Sequence, residues 1–118
     1  MAKILIVDDS KTSRKILKGI LLDEGHEVIG EAVNGKEGVE KFQELRPDIT
    51  TMDITMPVMD GLEALKQIKE FDNNAKVIMI TAAGQKSKMV DAIKYGAAEF
   101  LAKPFDAEQI VAILKKVL

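Results

Sequence analysis

The 118-residue chain has no cysteine, which excludes a disulfide framework and a thiolate zinc site and leaves no structural need of an oxidising compartment. It has no apolar run approaching the ~20 residues of a membrane-spanning helix. The N-terminal "MAKILIVDD" carries one lysine and a short apolar run that ends in acid, without the length or flanks of a secretion signal. A cytoplasmic location without membrane insertion is the expectation. Excess charge of one sign is missing as well: 17 Lys and Arg against 19 Asp and Glu leave a net charge of −2, so no broad field draws the chain to nucleic acid or to a bilayer. The single histidine, His26, follows Gly25 in a turn and is read as a surface residue, not a phosphodonor. No repeat, linker or low-complexity segment is present.

What remains is one domain, residues 1–118, with a hydrophobic share of 47%, enough to bury a core. Short apolar runs, "KILIV", "EVIG", "DITTM", "KVIMI" and "EFLA", alternate with segments of helical period. That pattern predicts an α/β fold with a parallel sheet. Continuous runs such as "ILIV" and "VIMI" predict strands covered on both faces. The helical segments carry apolar faces at Ile16, Leu17, Ile20 and Leu21; Val39, Phe42 and Leu45; Leu62, Leu65 and Ile68; Met89, Val90 and Ile93; and Ile110, Val111, Leu114 and Val117.

Right-handed crossovers bring all strand C-termini to one edge of such a sheet. Asp8 and Asp9, Asp53, Thr81 and Lys103 each close a different apolar run, so all should face one rim, where open α/β sheets bind ligands. Carboxylates gathered there repel, each close pair by on the order of 4 kcal/mol at ~4 Å and an effective dielectric of ~20. A hard divalent cation relieves that repulsion, and an open all-oxygen site suits Mg²⁺ completed by waters and phosphate oxygens. Asp53 is then the candidate nucleophile for an acyl phosphate, with Lys103 and Thr81 bonding the phosphoryl oxygens.

The stretches "ILIVDDS", "TMDITMPVMDG", "MITAAG" and "FLAKPF" resemble the receiver domains of bacterial two-component response regulators, in order and along the whole chain. The resemblance implies a doubly wound, flavodoxin-like sheet of five parallel strands in order 2-1-3-4-5 with five helices; the strand order belongs to the family, since neither periodicity nor spacing specifies it. It implies that Asp53 accepts phosphate from a sensor histidine kinase (CheA-like), and that Asp9 and Asp53 bind Mg²⁺ directly with Asp8 assisting, in part through water. The backbone carbonyl of Thr55 is the remaining protein ligand. Thr81 is the switch hydroxyl, Phe100 the aromatic that changes rotamer, Lys103 the phosphate-binding lysine, and Lys103-Pro104 resembles the family's cis peptide.

Within the family, "SRKIL", "MDITMPVMDG" and "AAGQ" are most similar to single-domain chemotaxis regulators of the CheY type outside the enteric group, which usually carries Asn, Glu and often Tyr where this chain has Thr55, Ala83 and Phe100. The implied partners are a flagellar motor switch protein or other output protein, met by the fourth helix, fifth strand and fifth helix including Lys86, Tyr95 and Phe100, and a phosphatase; the implied state is a monomer. Two other functions compete: a phosphorelay carrier, which shares every site residue, and an aspartyl-phosphate phosphohydrolase, which uses a similar strand-end Asp. The hydrolases typically carry an acid two residues after the nucleophile, where Thr55 stands. "GEAVNGKE" has P-loop spacing but ends in Glu37 where Ser or Thr should hold the metal, and is read as a turn. "SKTS" is no flavin-phosphate loop, because Asp8 and Asp9 beside it would repel the phosphate.

Overall fold

Five runs rich in β-branched and apolar residues form β1 (Lys3–Val7), β2 (Glu27–Ala32), β3 (Ile49–Asp53), β4 (Val77–Thr81) and β5 (Glu99–Ala102). Between and after them lie α1 (Lys11–Asp23), α2 (Gly35–Leu45), α3 (Gly61–Phe71), α4 (Lys86–Lys94) and α5 (Ala107–Val117). The computed structural model describes residues 1–82 and 84–118. Ala83 and the Lys86 side chain lie outside the described residues, and with them the difference expected at the first and the surface role expected of the second. Every neighbouring strand pair is parallel, in the order β2-β1-β3-β4-β5. The expected doubly wound sheet and its order are both present, and the order reverses beside β1, between β2 and β3, which places a crevice at the C-terminal ends of β1 and β3.

The pleat sorts the apolar side chains into two cores. Ile4 and Ile6 of β1, with Ile78 and Ile80 of β4, meet Leu17 and Leu21 of α1 and Ile110 and Leu114 of α5. Leu5 and Val7, with Val77 and Met79, meet Phe42 of α2, Leu65 and Ile68 of α3 and Ala92 of α4. β1, β3 and β4 are therefore buried on both faces, which is why the runs of β1 and β4 are apolar without alternation, whereas β3 buries Thr50 and Thr51 among its apolar residues. Among the described residues no helix is long and apolar enough to cross a membrane.

Three sequence expectations shift. Val90 and Ile93 are 65% and 62% exposed, and α4 reaches the core chiefly through Ala92; the small side chain lets the helix approach closely while its larger apolar residues stay outside. Ile16 of α1 is likewise more than half exposed. His26 is partly buried, its Nδ1 accepting a hydrogen bond from the Ala2 amide at 3.0 Å, so it holds Ala2 against the start of β2.

Helix starts follow from local chemistry. Ser10, Asn34, Asp60 and Asp106 each accept a hydrogen bond from the third amide of their helix, satisfying donors that the helix itself leaves open. α4 is the exception: its N-cap, Gln85, makes no such bond.

Close backbone approach fixes the loop after β3. The Gly61 amide donates to the Ile54 carbonyl at 2.7 Å, and a Cβ on Gly61 would sit 2.0 Å from the Asp53 carbonyl oxygen. Gly19, in the exposed middle of α1, has nothing within 4 Å of that position. Thermal or urea denaturation should therefore separate the two: Gly61→Ala loses at least ~2 kcal/mol through displaced backbone, whereas Gly19→Ala gains ~0.5–1 kcal/mol by restricting the unfolded chain.

Candidate functional site

The crevice is built from strand ends. β1 runs out of the sheet into Asp8 and Asp9, and β3 ends at Asp53, one strand over. Carboxylate oxygens of Asp8, Asp9 and Asp53 all lie within 4.8 Å of one another. Asp8 and Asp53 are buried, at 6% and 8% exposure, while Asp9 is open to solvent. Lys103, just beyond β5, reaches across the rim: its Nζ is 2.9 Å from Asp8 Oδ2 and 3.6 Å from Asp53 Oδ2. The Lys103-Pro104 peptide is cis, as expected.

The acids have unequal surroundings. Both oxygens of Asp8 are committed, Oδ1 to the Ser10 amide at 2.9 Å and Oδ2 to Lys103, and Arg14 donates to the Asp8 backbone carbonyl at 2.8 Å while pairing with Glu31. Asp9 makes no hydrogen bond among the described residues. Burial is the main cause that pushes the Asp53 carboxyl up from its ordinary 3.8 to about 6; the charge of Asp8 adds to it, and Lys103 opposes it. For Lys103 burial favours the neutral amine, but the hydrogen bond to Asp8 and the charge of Asp53 outweigh it, and its pKa lies above the ordinary lysine value. An all-oxygen cluster with excess negative charge and an unfavourable proton equilibrium fits a hard divalent cation.

Loop geometry shapes the other wall. Gly35 donates to the Met59 carbonyl at 2.9 Å, fastening the β3-α3 loop to the start of α2. Val58, in the same loop, has a φ of 69°, a left-handed conformation that strains a β-branched residue, and is 78% exposed. "GEAVNGKE" closes as the N-cap turn of α2 at Asn34 and Gly35, in line with its reading as a turn. Beside the acids a cavity of about 330 Å³, mostly apolar, opens between Ser13, Ile16, Ala82, Lys103, Pro104 and Phe105.

Asp8, Asp9, Asp53 and Lys103 thus come together as expected. Thr81 closes β4 on the same rim and is 1% exposed, and its hydroxyl is already engaged by neighbours other than the acids. It donates to Gln85 Oε1 at 2.5 Å, with the Ala82 carbonyl farther off at 3.3 Å. Thr55 is exposed, and its Oγ1 accepts from Gln85 Nε2 at 3.1 Å. Phe100 is half-buried against the α2-α3-α4 core. Sequence reading missed Gln85 and Arg14. Nothing in the sequence separates Gln85 from any polar residue opening a helix, and Arg14 has no marker beyond lying on α1 near the acids.

The family model of the response regulator receiver domain matches residues 4–115. The chain is 51% identical to the chemotaxis protein CheY of Thermotoga maritima over 115 residues, covering 98% of this chain and 96% of that protein. It is 50% identical to the Bacillus subtilis chemotaxis protein CheY, covering 98% and 97%. Among solved structures it superimposes on the Borrelia burgdorferi CheX-CheY-BeF3-Mg complex with a TM-score of 0.94 and 42% identity, covering 98% of this chain and 87% of that one. With the acidic rim, the strand order and the full-length likeness in agreement, the chain belongs to the response regulator receiver domain family, as a response regulator of chemotaxis.

Proposed function

We propose that residues 1–118 act as one receiver unit in which Asp53 takes a phosphoryl group from the phosphohistidine of a sensor kinase. The observation that carries this reading is the placement of three carboxylates within 4.8 Å with one lysine between Asp8 and Asp53. Asp9 and Asp53, with the Thr55 carbonyl, would hold Mg²⁺ directly. Asp8, whose oxygens are already engaged, would assist from outside. The bound ion supplies neutralisation of the carboxylates and of the phosphoryl oxygens. An Asp53 carboxylate oxygen attacks phosphorus, the P–N bond breaks, and the donor imidazole departs neutral, keeping its proton. Lys103 and Thr81 donate hydrogen bonds to the phosphoryl oxygens. The apolar cavity beside Lys103 offers room for the protein segment that presents the donor.

Output runs through a surface on α4, β5 and α5. Val90 and Ile93 stand exposed there, with Tyr95 and Phe100 half-buried at its edge, and Phe100 would change rotamer as Thr81 moves. The partners are a CheA-like histidine kinase, a flagellar motor switch protein or other output protein, and a phosphatase; the CheX complex of the Borrelia relative supports a further protein partner. The unit works as a cytoplasmic monomer and turns over no separate substrate. Thr55, where a phosphohydrolase would carry an acid, argues against that chemistry.

With acetyl phosphate and Mg²⁺ the protein should gain one acid-stable, hydroxylamine-labile phosphoryl group, read by mass spectrometry, and Asp53→Asn should gain none. Labelling that survives this substitution would remove Asp53 from its role.

The raised Asp53 pKa has a definite sign. The folded state holds this proton more tightly than the unfolded chain, so the group's contribution is most favourable below pH 3.8 and is withdrawn as pH rises toward about 6. Above that pH the cost is on the order of 3 kcal/mol. In chelator at about pH 7.5, Asp53→Asn should therefore be more stable than the parent in urea denaturation, by up to that amount, and the advantage should vanish near pH 3.8. Magnesium affinity should fall about tenfold between pH 7 and 5, because the ion needs the ionised carboxylate; calorimetric titration at the two pH values checks it.

A further inference from the structure

We propose that Gln85 is a latch that keeps the Thr81 hydroxyl from the phosphoryl site and so sets the resting balance of the switch. The inference rests on the reading of Asp53 as phosphoacceptor and Thr81 as its hydroxyl donor, and adds a positioning residue which that reading does not contain.

A threonine hydroxyl has one proton to donate. In this structure it goes to Gln85 Oε1 at 2.5 Å, so Thr81 reaches a phosphoryl oxygen only by leaving Gln85. The other end of the same amide donates to Thr55 Oγ1 at 3.1 Å, in the loop that follows Asp53. One side chain thereby ties the end of β4 to the β3-α3 loop. Its position gives the tie a wider effect, because Gln85 is the N-cap of α4. The other four helices turn their N-cap side chain to their own third amide, whereas Gln85 turns its side chain to Thr81 and Thr55 and leaves α4 without a side-chain cap.

α4 also has a light hold on the core, through Ala92, with Val90 and Ile93 exposed. Release of Gln85 therefore frees the first turn of the helix on the proposed output face. A ligand shifts such an equilibrium only by its preference for one state, and on this proposal the latch bonds belong to the resting state alone. Removing them should make a phosphoryl mimic bind about threefold to tenfold more tightly, the worth of one net hydrogen bond.

The experiment is a beryllofluoride titration in saturating Mg²⁺, followed by the fluorescence of Tyr95, the single tyrosine of a chain without tryptophan, placed at the C-cap of α4. Gln85→Met keeps the length of the side chain without its hydrogen bonds, and Gln85→Ala removes it. Both should tighten beryllofluoride binding by the stated factor, and the gain should disappear when Gln85→Met is placed in a Thr81→Val background. Unchanged or weaker binding in both variants, or an equal gain in the Thr81→Val background, overturns the latch while leaving the Asp53 reading intact. If the parent chain takes up no beryllofluoride, the Asp53 reading falls and the latch with it.

Discussion

Electrostatic repulsion among carboxylates that the fold forces together is the constraint on which this molecule is organised. Asp8 and Asp53 are largely withdrawn from water and share the rim with Asp9. Among the described residues only Lys103 pairs with their carboxylates at close range, and its bonds favour Asp8 over Asp53. The balance is incomplete, which shows in the upward displacement of the Asp53 pKa. A folded protein tolerates such a cost because its two cores stabilise the sheet independently of the rim. The uncompensated negative charge is what gives a hard cation, and then a phosphoryl group, a reason to bind.

Around that cluster the backbone is held closely. Gly61 lies where a Cβ would collide with the Asp53 carbonyl, Gly35 is bonded to the Met59 carbonyl, and Val58 is kept in a strained left-handed conformation. These features hold the β3-α3 loop in one course beside Asp53, so that charge added there is felt by groups with defined positions. The opposite side of the crevice is looser. Gln85 bridges Thr81 and Thr55 by side-chain hydrogen bonds alone, and the helix it begins is anchored by an alanine. A stiff acceptor beside a lightly held switch segment is the arrangement a two-state response needs.

Much of the site could be read before folding because each strand run carries its chemistry at its end. Asp8 and Asp9 follow "ILIV", Asp53 follows "ITTM", Thr81 follows "VIMI" and Lys103 follows "FLA", and the handedness of parallel crossovers does the rest. The helix faces were less legible. Val90 and Ile93 have the spacing of core residues yet lie outside, since period alone shows that a stripe exists and not which neighbour covers it. His26 stands in a turn yet accepts from the Ala2 amide, a partner far away in sequence.

The sequence by itself determined the alternation of strands and helices, the double-sided burial of β1 and β4, and the identity of the acids and the lysine. Those properties depend on periodicity and on residue type at element ends, both local. Tertiary structure alone decided which acid is engaged and which is open, that Lys103 bonds Asp8 more closely than Asp53, and that Thr81 is turned toward Gln85. Such choices depend on distances between segments remote along the chain and on how much water each group loses, quantities that exist only once the sheet has closed over its helices.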